Sequence, residues 1–153
     1  MPARQPSGLL RRLAAMLYDS LLVLALLFLA TIPFIAVRGG EATEGNAVYQ
    51  LSLVLVIYLF FLGFWTTRGR TLGMQSWGLQ LEDAHGRVPG PLQASLRFAV
   101  AVISLGAFGL GFLWQLFDRD KLTWHDRASG TRLMFYPKAK KDKKQGRKAG
   151  AGQ

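Results

Sequence analysis

A charged residue inside an otherwise apolar stretch constrains this chain more than any other feature. Residues 9–37 form one long apolar run, from Ser20 to Val37 without a charged side chain, and Asp19 lies within it while Arg11 and Arg12 stand at its entrance. About 20 apolar residues in a helix cross a hydrocarbon core about 30 Å thick. With the water boundary near Leu13, Asp19 sits about 9 Å deep at about 1.5 Å per residue. There an ionised side chain costs about 2.5–3.5 kcal/mol, so Asp19 requires a partner, a proton or a task.

The remaining composition agrees with a membrane setting. In 153 residues, 50% hydrophobic content and a mean hydropathy of +0.20 exceed what most soluble domains of this size carry. The absence of cysteine excludes disulfides, thiolate metal sites and cysteine nucleophiles. A net charge of +10 would suggest nucleic acid in a soluble chain. Here much of it falls in the tail beyond Pro137, beside apolar segments, where anionic lipid headgroups are the expected partner and nucleic acid is not. A cleaved signal peptide fits poorly, because its apolar core runs about 7–15 residues, whereas this one continues through Pro33 and contains Tyr18 and Asp19. The first helix is therefore expected to remain as an anchor.

Residues 1–8 read as a short cytoplasmic lead. Leu10, Leu13, Leu17 and Leu21 share a stripe at helical spacing, Ala14, Ala15 and Ser20 offer small faces for a neighbouring helix, and Pro33 is expected to kink or end the helix. A glycine-containing connector, Arg38 to Asn46, carries Glu41 and Glu44 and suits the outer side. Residues 47–67 form a second charge-free run with Tyr49 and Trp65 near its ends as interfacial anchors. Arg68, Arg70, Arg87 and Arg97 follow, so the excess of arginine puts this side and the N-terminus in the cytoplasm. Alternation at Trp77, Leu79 and Leu81, followed by turn residues from Asp83 to Gly86, predicts a short β-hairpin or loop on the cytoplasmic face. A third apolar segment covers residues 92–117, a polar stretch runs from Asp118 to Arg132, a β-prone segment from Leu133 to Tyr136, and residues 137–153 read as a disordered basic tail.

Three full crossings would leave that basic tail outside, against the positive-inside rule. Two arrangements remain open. Gly106, Gly109 and Gly111 weaken the third segment near its middle, which permits a re-entrant hairpin, or the tail is carried across by a single crossing.

Among residues that could carry chemistry, Arg12 and Asp19 are two helical turns apart, about 10 Å along the axis, too far for direct pairing. Another helix is expected to supply the partner of Asp19, with Arg97, His125 and Lys121 as candidates. A paired, static Asp19 and a proton- or cation-exchanging one are both compatible with the sequence. His125 could titrate near neutral pH, with Asp126 holding its tautomer. With only His85 and His125 in the chain, a histidine metal site is not expected. Gly69 and Gly73 lack a following Gly-Lys-Ser/Thr and read as a turn, not a phosphate loop. No serine hydrolase signature or paired acids with a cleft point to an enzyme, and no cofactor is implied.

Three ordered patterns carry a resemblance. They are Arg12-Leu-Ala-Ala-Met-Leu-Tyr-Asp19, then Gly69-Arg-Thr-Leu-Gly73-Met74 leading to Gly78-Leu-Gln-Leu and Gly86, then Leu122-Thr-Trp-His-Asp126-Arg-Ala-Ser-Gly130-Thr131. From about Leu10 to Phe135 the chain resembles the RDD family of small, mainly bacterial membrane proteins, named for one arginine and two aspartates. The resemblance gives Arg12, Asp19 and Asp126 the signature positions. Many relatives have a lysine where Met74 stands. The family is mostly uncharacterised, is suspected of transporting ligands, and includes members reported as sodium, lithium or potassium/proton antiporters.

The resulting expectation is an all-α integral membrane protein of the cytoplasmic membrane. It has two to three transmembrane helices, a membrane domain over residues 9–136 and a small cytoplasmic β-hairpin element. Exchange of a monovalent cation for a proton at Asp19, with Arg12 and Asp126 beside it, is one expected function, and two or three spans would then require a homo-oligomer. A non-transporting scaffold or accessory protein, in which the same three residues lock the fold, is the other.

Overall fold

A computed structural model describes residues 5–37 and 45–137. Most of the connector from Arg38 to Asn46 and nearly all of the basic tail lie outside the described residues. Helix α1 (Leu9–Val37) and helix α2 (Ala47–Thr67) are both long and apolar enough to cross a membrane. Asn46 caps α2, its side-chain oxygen accepting from Tyr49 N at 3.0 Å. Pro33 stays within α1 and does not end it; the helix continues to Val37.

After α2, Gly69 turns the chain at φ +64 and Thr71 caps a short helix, α3 (Leu72–Ser76), where the sequence suggested only a turn. Strand β2 (Leu79–Asp83) follows. Its expected hairpin partner is not local. Asp83 instead closes a tight turn by accepting from His85 N and Arg87 N, each at 2.8 Å, and β2 pairs antiparallel with β3 (Thr131–Phe135), which also pairs antiparallel with β1 (Gln5–Pro6). The order β1-β3-β2 gathers three distant stretches into one sheet. Alternation in Leu79 and Leu81 correctly marks a strand with one buried face, but it carries no information about which strand lies alongside.

The third apolar segment is broken. Helix α4 (Pro91–Gly106) starts at Gly90 with Pro91 in its first turn and the Gln93 side chain accepting from Gly90 N at 3.1 Å. Helix α5 (Leu110–Leu113) and a 3₁₀ turn (Trp114–Leu116) leave it at 108°. Helix α6 (Trp124–Ser129) completes the domain, between the Thr123 cap and Gly130 in the left-handed region.

The distribution of side chains is inverted relative to a water-soluble protein. In α1 the buried residues are Arg12, Ala15 and Asp19, spaced three and four apart on one stripe, while Leu10, Leu17 and Leu21 are exposed. In α4 the buried residues are Ala94, Arg97 and Ser104, while Leu92, Val102, Ile103 and Leu105 face outward. Such helices place polar groups against protein and apolar groups against the solvent, which only a hydrocarbon solvent rewards. A small apolar core of Ala15, Trp65, Met74, Leu79, Leu81, Ala94 and Leu133 seats the sheet against the ends of α1 and α2.

Candidate functional site

Two buried polar clusters share the stripe of α1, separated by Ala15. The first is built on Asp126. Thr123 caps α6 by accepting from Asp126 N at 3.3 Å, and the Asp126 carboxylate returns to accept from Thr123 N at 3.2 Å, which fixes its rotamer. The same carboxylate accepts from Arg12 Nη1 at 2.6 Å through Oδ2 and from Arg97 Nη1 at 2.5 Å through Oδ1. Three segments, α1, α4 and α6, are thereby joined at one carboxylate.

A second layer of neutral groups holds the arginines. Arg12 Nε donates to Ser7 Oγ at 2.7 Å, and Arg97 Nη1 also donates to Thr131 Oγ1 at 2.9 Å. The Arg97 guanidinium lies 5.4 Å from the centre of a Trp65 ring, a cation–π contact. Ser7 links cluster and sheet, since its N donates to Leu133 O at 3.2 Å and its carbonyl accepts from Gln115 Nε2 at 3.1 Å. Burial raises the pKa of Asp126, but the Arg97 and Arg12 charges outweigh it and hold the carboxyl below its ordinary range.

The second cluster is smaller and contains Asp19. Thr71 Oγ1 donates to Asp19 Oδ2 at 2.5 Å, and Gly73 N donates to Oδ1 at 2.9 Å. Both donors are neutral and both belong to the first turn of α3. Among the described residues no ion pair reaches Asp19. Thr71 also accepts from Met74 N at 3.2 Å, so its hydroxyl caps α3 and binds the carboxylate at once. A Cβ on Gly73 would come within 2.4 Å of Ala15 O and 2.8 Å of Asp19 Cγ, so only glycine lets α3 approach α1 this closely.

These placements revise several expectations. None of Arg97, His125 and Lys121 partners Asp19; Arg97 belongs to the Asp126 cluster, and Lys121 is an exposed turn residue at φ +54 whose N donates to Asp118 O. Arg12 is likewise committed to Asp126, not to the electrostatics of Asp19. Met74 is buried in the apolar core. Thr71 and Gly73, the partners of Asp19, carry only a local signal in the sequence: a threonine can cap a helix start, but nothing near it says which helix lies alongside.

His125 does not titrate near neutrality. Burial and the Arg97 charge push its pKa down to about 3, its ring lies against Phe112 with centroids 4.6 Å apart, and Nδ1 has no hydrogen-bond partner among the described residues. Asp126 therefore does not hold its tautomer through Nδ1. An unfolded histidine titrates near 6.5, so below that pH the unfolded chain binds a proton that the folded chain refuses. Stability should fall as pH drops from about 6.5 toward about 3, by about 2 kcal/mol at pH 5. Denaturation of the detergent-solubilised protein between pH 7.5 and 5 should show this slope, and His125→Gln should flatten it. Asp126, lowered from 3.8, gives up its contribution only at more acidic pH.

The sequence model of the RDD family matches residues 6–130. This chain is a member of the RDD family. The matched stretch contains Arg12, Asp19 and Asp126, together with Ser7, Thr71, Gly73, Arg97 and Thr123, which hydrogen-bond to them. No match was found among curated proteins or solved structures. In this RDD-family chain Arg12, Asp19 and Asp126 do not form one site. Arg12 and Asp126 pair with each other, and Asp19 stands apart with Thr71 and Gly73.

Proposed function

We propose that this RDD-family protein is a multi-pass protein of the cytoplasmic membrane, with its N-terminus and sheet inside, that exchanges a monovalent cation for a proton at Asp19. The observation carrying this reading is a buried carboxylate on an apolar helix, bound by two neutral donors and neutralised by no cation among the described residues. Such a group favours uptake of a positive charge, and a proton and a small cation compete for it on the same oxygens. When Asp19 is protonated, the Thr71 hydroxyl oxygen can accept from it; when a cation binds, the two Asp19 oxygens and the Thr71 oxygen are the nearest ligands of the right hardness. Exposed Arg68, Arg70, Arg87, Arg119 and Arg132 around the sheet end support the cytoplasmic orientation and contact with anionic lipid headgroups. A pathway between two long helices requires further walls, which copies of this chain in a homo-oligomer would supply.

One observation favours the alternative of a non-transporting scaffold: both Asp19 oxygens already tie α1 to α3. Asp19→Asn separates the two. The amide keeps an acceptor for Gly73 N and places its NH₂ against the Thr71 oxygen, so shape and most hydrogen bonding survive while the charge is lost. In everted vesicles from cells lacking their own antiporters, addition of sodium, potassium or lithium should release protons with the wild type and not with Asp19→Asn at equal membrane abundance. No flux in the wild type, despite well-inserted protein, supports the scaffold.

A further inference from the structure

We propose that residues 91–116 do not cross the membrane but form a wedge in one leaflet, its apolar flanks and Phe108 tip embedded among that leaflet's acyl chains. This rests on the membrane placement of α1 and α2 given above. Each of those helices crosses once, so the start of α1 and the end of α2 lie on one side. The sheet then fixes the rest: β1 precedes α1, β2 follows α2, and β3, which comes after the third apolar segment, is hydrogen-bonded to both. A three-stranded sheet cannot be shared across a hydrocarbon core, so the segment between β2 and β3 must return to the side on which it began.

Local geometry gives the same answer independently. Gln115, at the end of the segment, donates to the carbonyl of Ser7, two residues before α1. Where α4 gives way to α5, Phe108 and Gly109 take φ +54 and +76 in succession and reverse the chain. The N–H groups of Ala107, Gly109 and Leu110 bond to Ile103 O, Ser104 O and Ala107 O within the turn, which lowers the cost of placing it in lipid. The arms touch just beyond it, because a Cβ on Gly111 would lie 2.1 Å from Ser104 Oγ.

Depth follows from helix rise. Arg97 is anchored to Asp126 near the entrance of α1, and Phe108 stands 11 positions further along the chain, about 16 Å at helical rise, roughly half of a core about 30 Å thick. Along α2, α4 meets Tyr58, Phe61 and Trp65, all in its second half. Phe108 is 96% exposed, and Ile103, Leu105, Leu110 and Phe117 are exposed beside it. In water this would be a large unfavourable patch; acyl chains of one leaflet cover it.

The chain has no cysteine, so single cysteines at exposed positions report sidedness in the full-length protein. In sealed, uniformly oriented vesicles, a membrane-impermeant maleimide should reach Ala84→Cys and Arg119→Cys from one side and Ala47→Cys from the other. Phe108→Cys should react from neither side until detergent is added. Labelling of Ala47→Cys and Ala84→Cys from the same side would overturn the two spans themselves. With those two on opposite sides, Arg119→Cys reacting from the Ala47 side, or Phe108→Cys reacting with the impermeant reagent from either side, would overturn the wedge.

Discussion

Asp126→Asn should destabilise the detergent-solubilised protein by about 3–5 kcal/mol, the usual cost of removing one partner from a buried ion pair. The effect should be this large because one carboxylate neutralises two guanidiniums. Asparagine retains a single acceptor oxygen, so its NH₂ would face whichever of Arg12 and Arg97 it fails to bind, and two buried positive charges would be left without a counter-charge. The variant also loses a carboxylate that accepts from Thr123 N, weakening the start of α6. Arg127→Ala is the contrasting case. The Arg127 side chain is half exposed, and its partner Asp118 still accepts from Leu122 N once Arg127 is gone, so that change should cost no more than about 1 kcal/mol. Denaturant or thermal unfolding of both variants under one condition checks the difference.

Gly73→Ala should be the second severe change, and its sign runs against helix propensity. Alanine normally stabilises a helix over glycine by about 1 kcal/mol. Here its Cβ would press into the Ala15 carbonyl and the Asp19 carboxyl, neither of which can swing aside as a long side chain would. Overpacking costs about 1–3 kcal/mol, and the bond from Gly73 N to the Asp19 carboxylate, worth about 1.5–3 kcal/mol as a charge-assisted contact, would lengthen or break. Gly63, in α2, has nothing within 4 Å of an added Cβ. Gly63→Ala should therefore leave stability unchanged or raise it by up to about 1 kcal/mol, and the two alanine variants measured side by side separate steric conflict from propensity.

How far these features were legible in the sequence depends on whether they are local. The two long helices were legible to within a few residues, because an uninterrupted apolar run is a property of consecutive positions. So was the break in the third segment, through Gly106, Gly109 and Gly111, although not its direction. The strand at Leu79 and Leu81 was visible by alternation, yet its pairing with Leu133, Met134 and Phe135 was not, since a local turn after Asp83 made a hairpin the economical choice. At the site, the importance of Arg12, Asp19 and Asp126 was legible and their grouping was not. Arg12 and Asp19 share a helix face, but Arg12 reaches toward Asp126, 114 residues away, and Asp19 reaches toward α3. His125 looked titratable because histidine ordinarily is; its burial beside Phe112 and Arg97 is a tertiary fact.

Separation of Arg12, Asp19 and Asp126 into two clusters gives them different work. Arg12 and Asp126 hold α1, α4 and α6 together, and Asp19 alone is left ionisable without a counter-charge among the described residues. The most direct test uses purified protein reconstituted into liposomes that contain a pH-sensitive dye, with an imposed sodium, potassium or lithium gradient and no initial pH difference. The expected result is a cation-driven pH change that requires no other protein, is absent with Asp19→Asn, and persists with Arg127→Ala. A wild-type protein that inserts and folds but moves no protons under any of the three gradients would contradict exchange at Asp19.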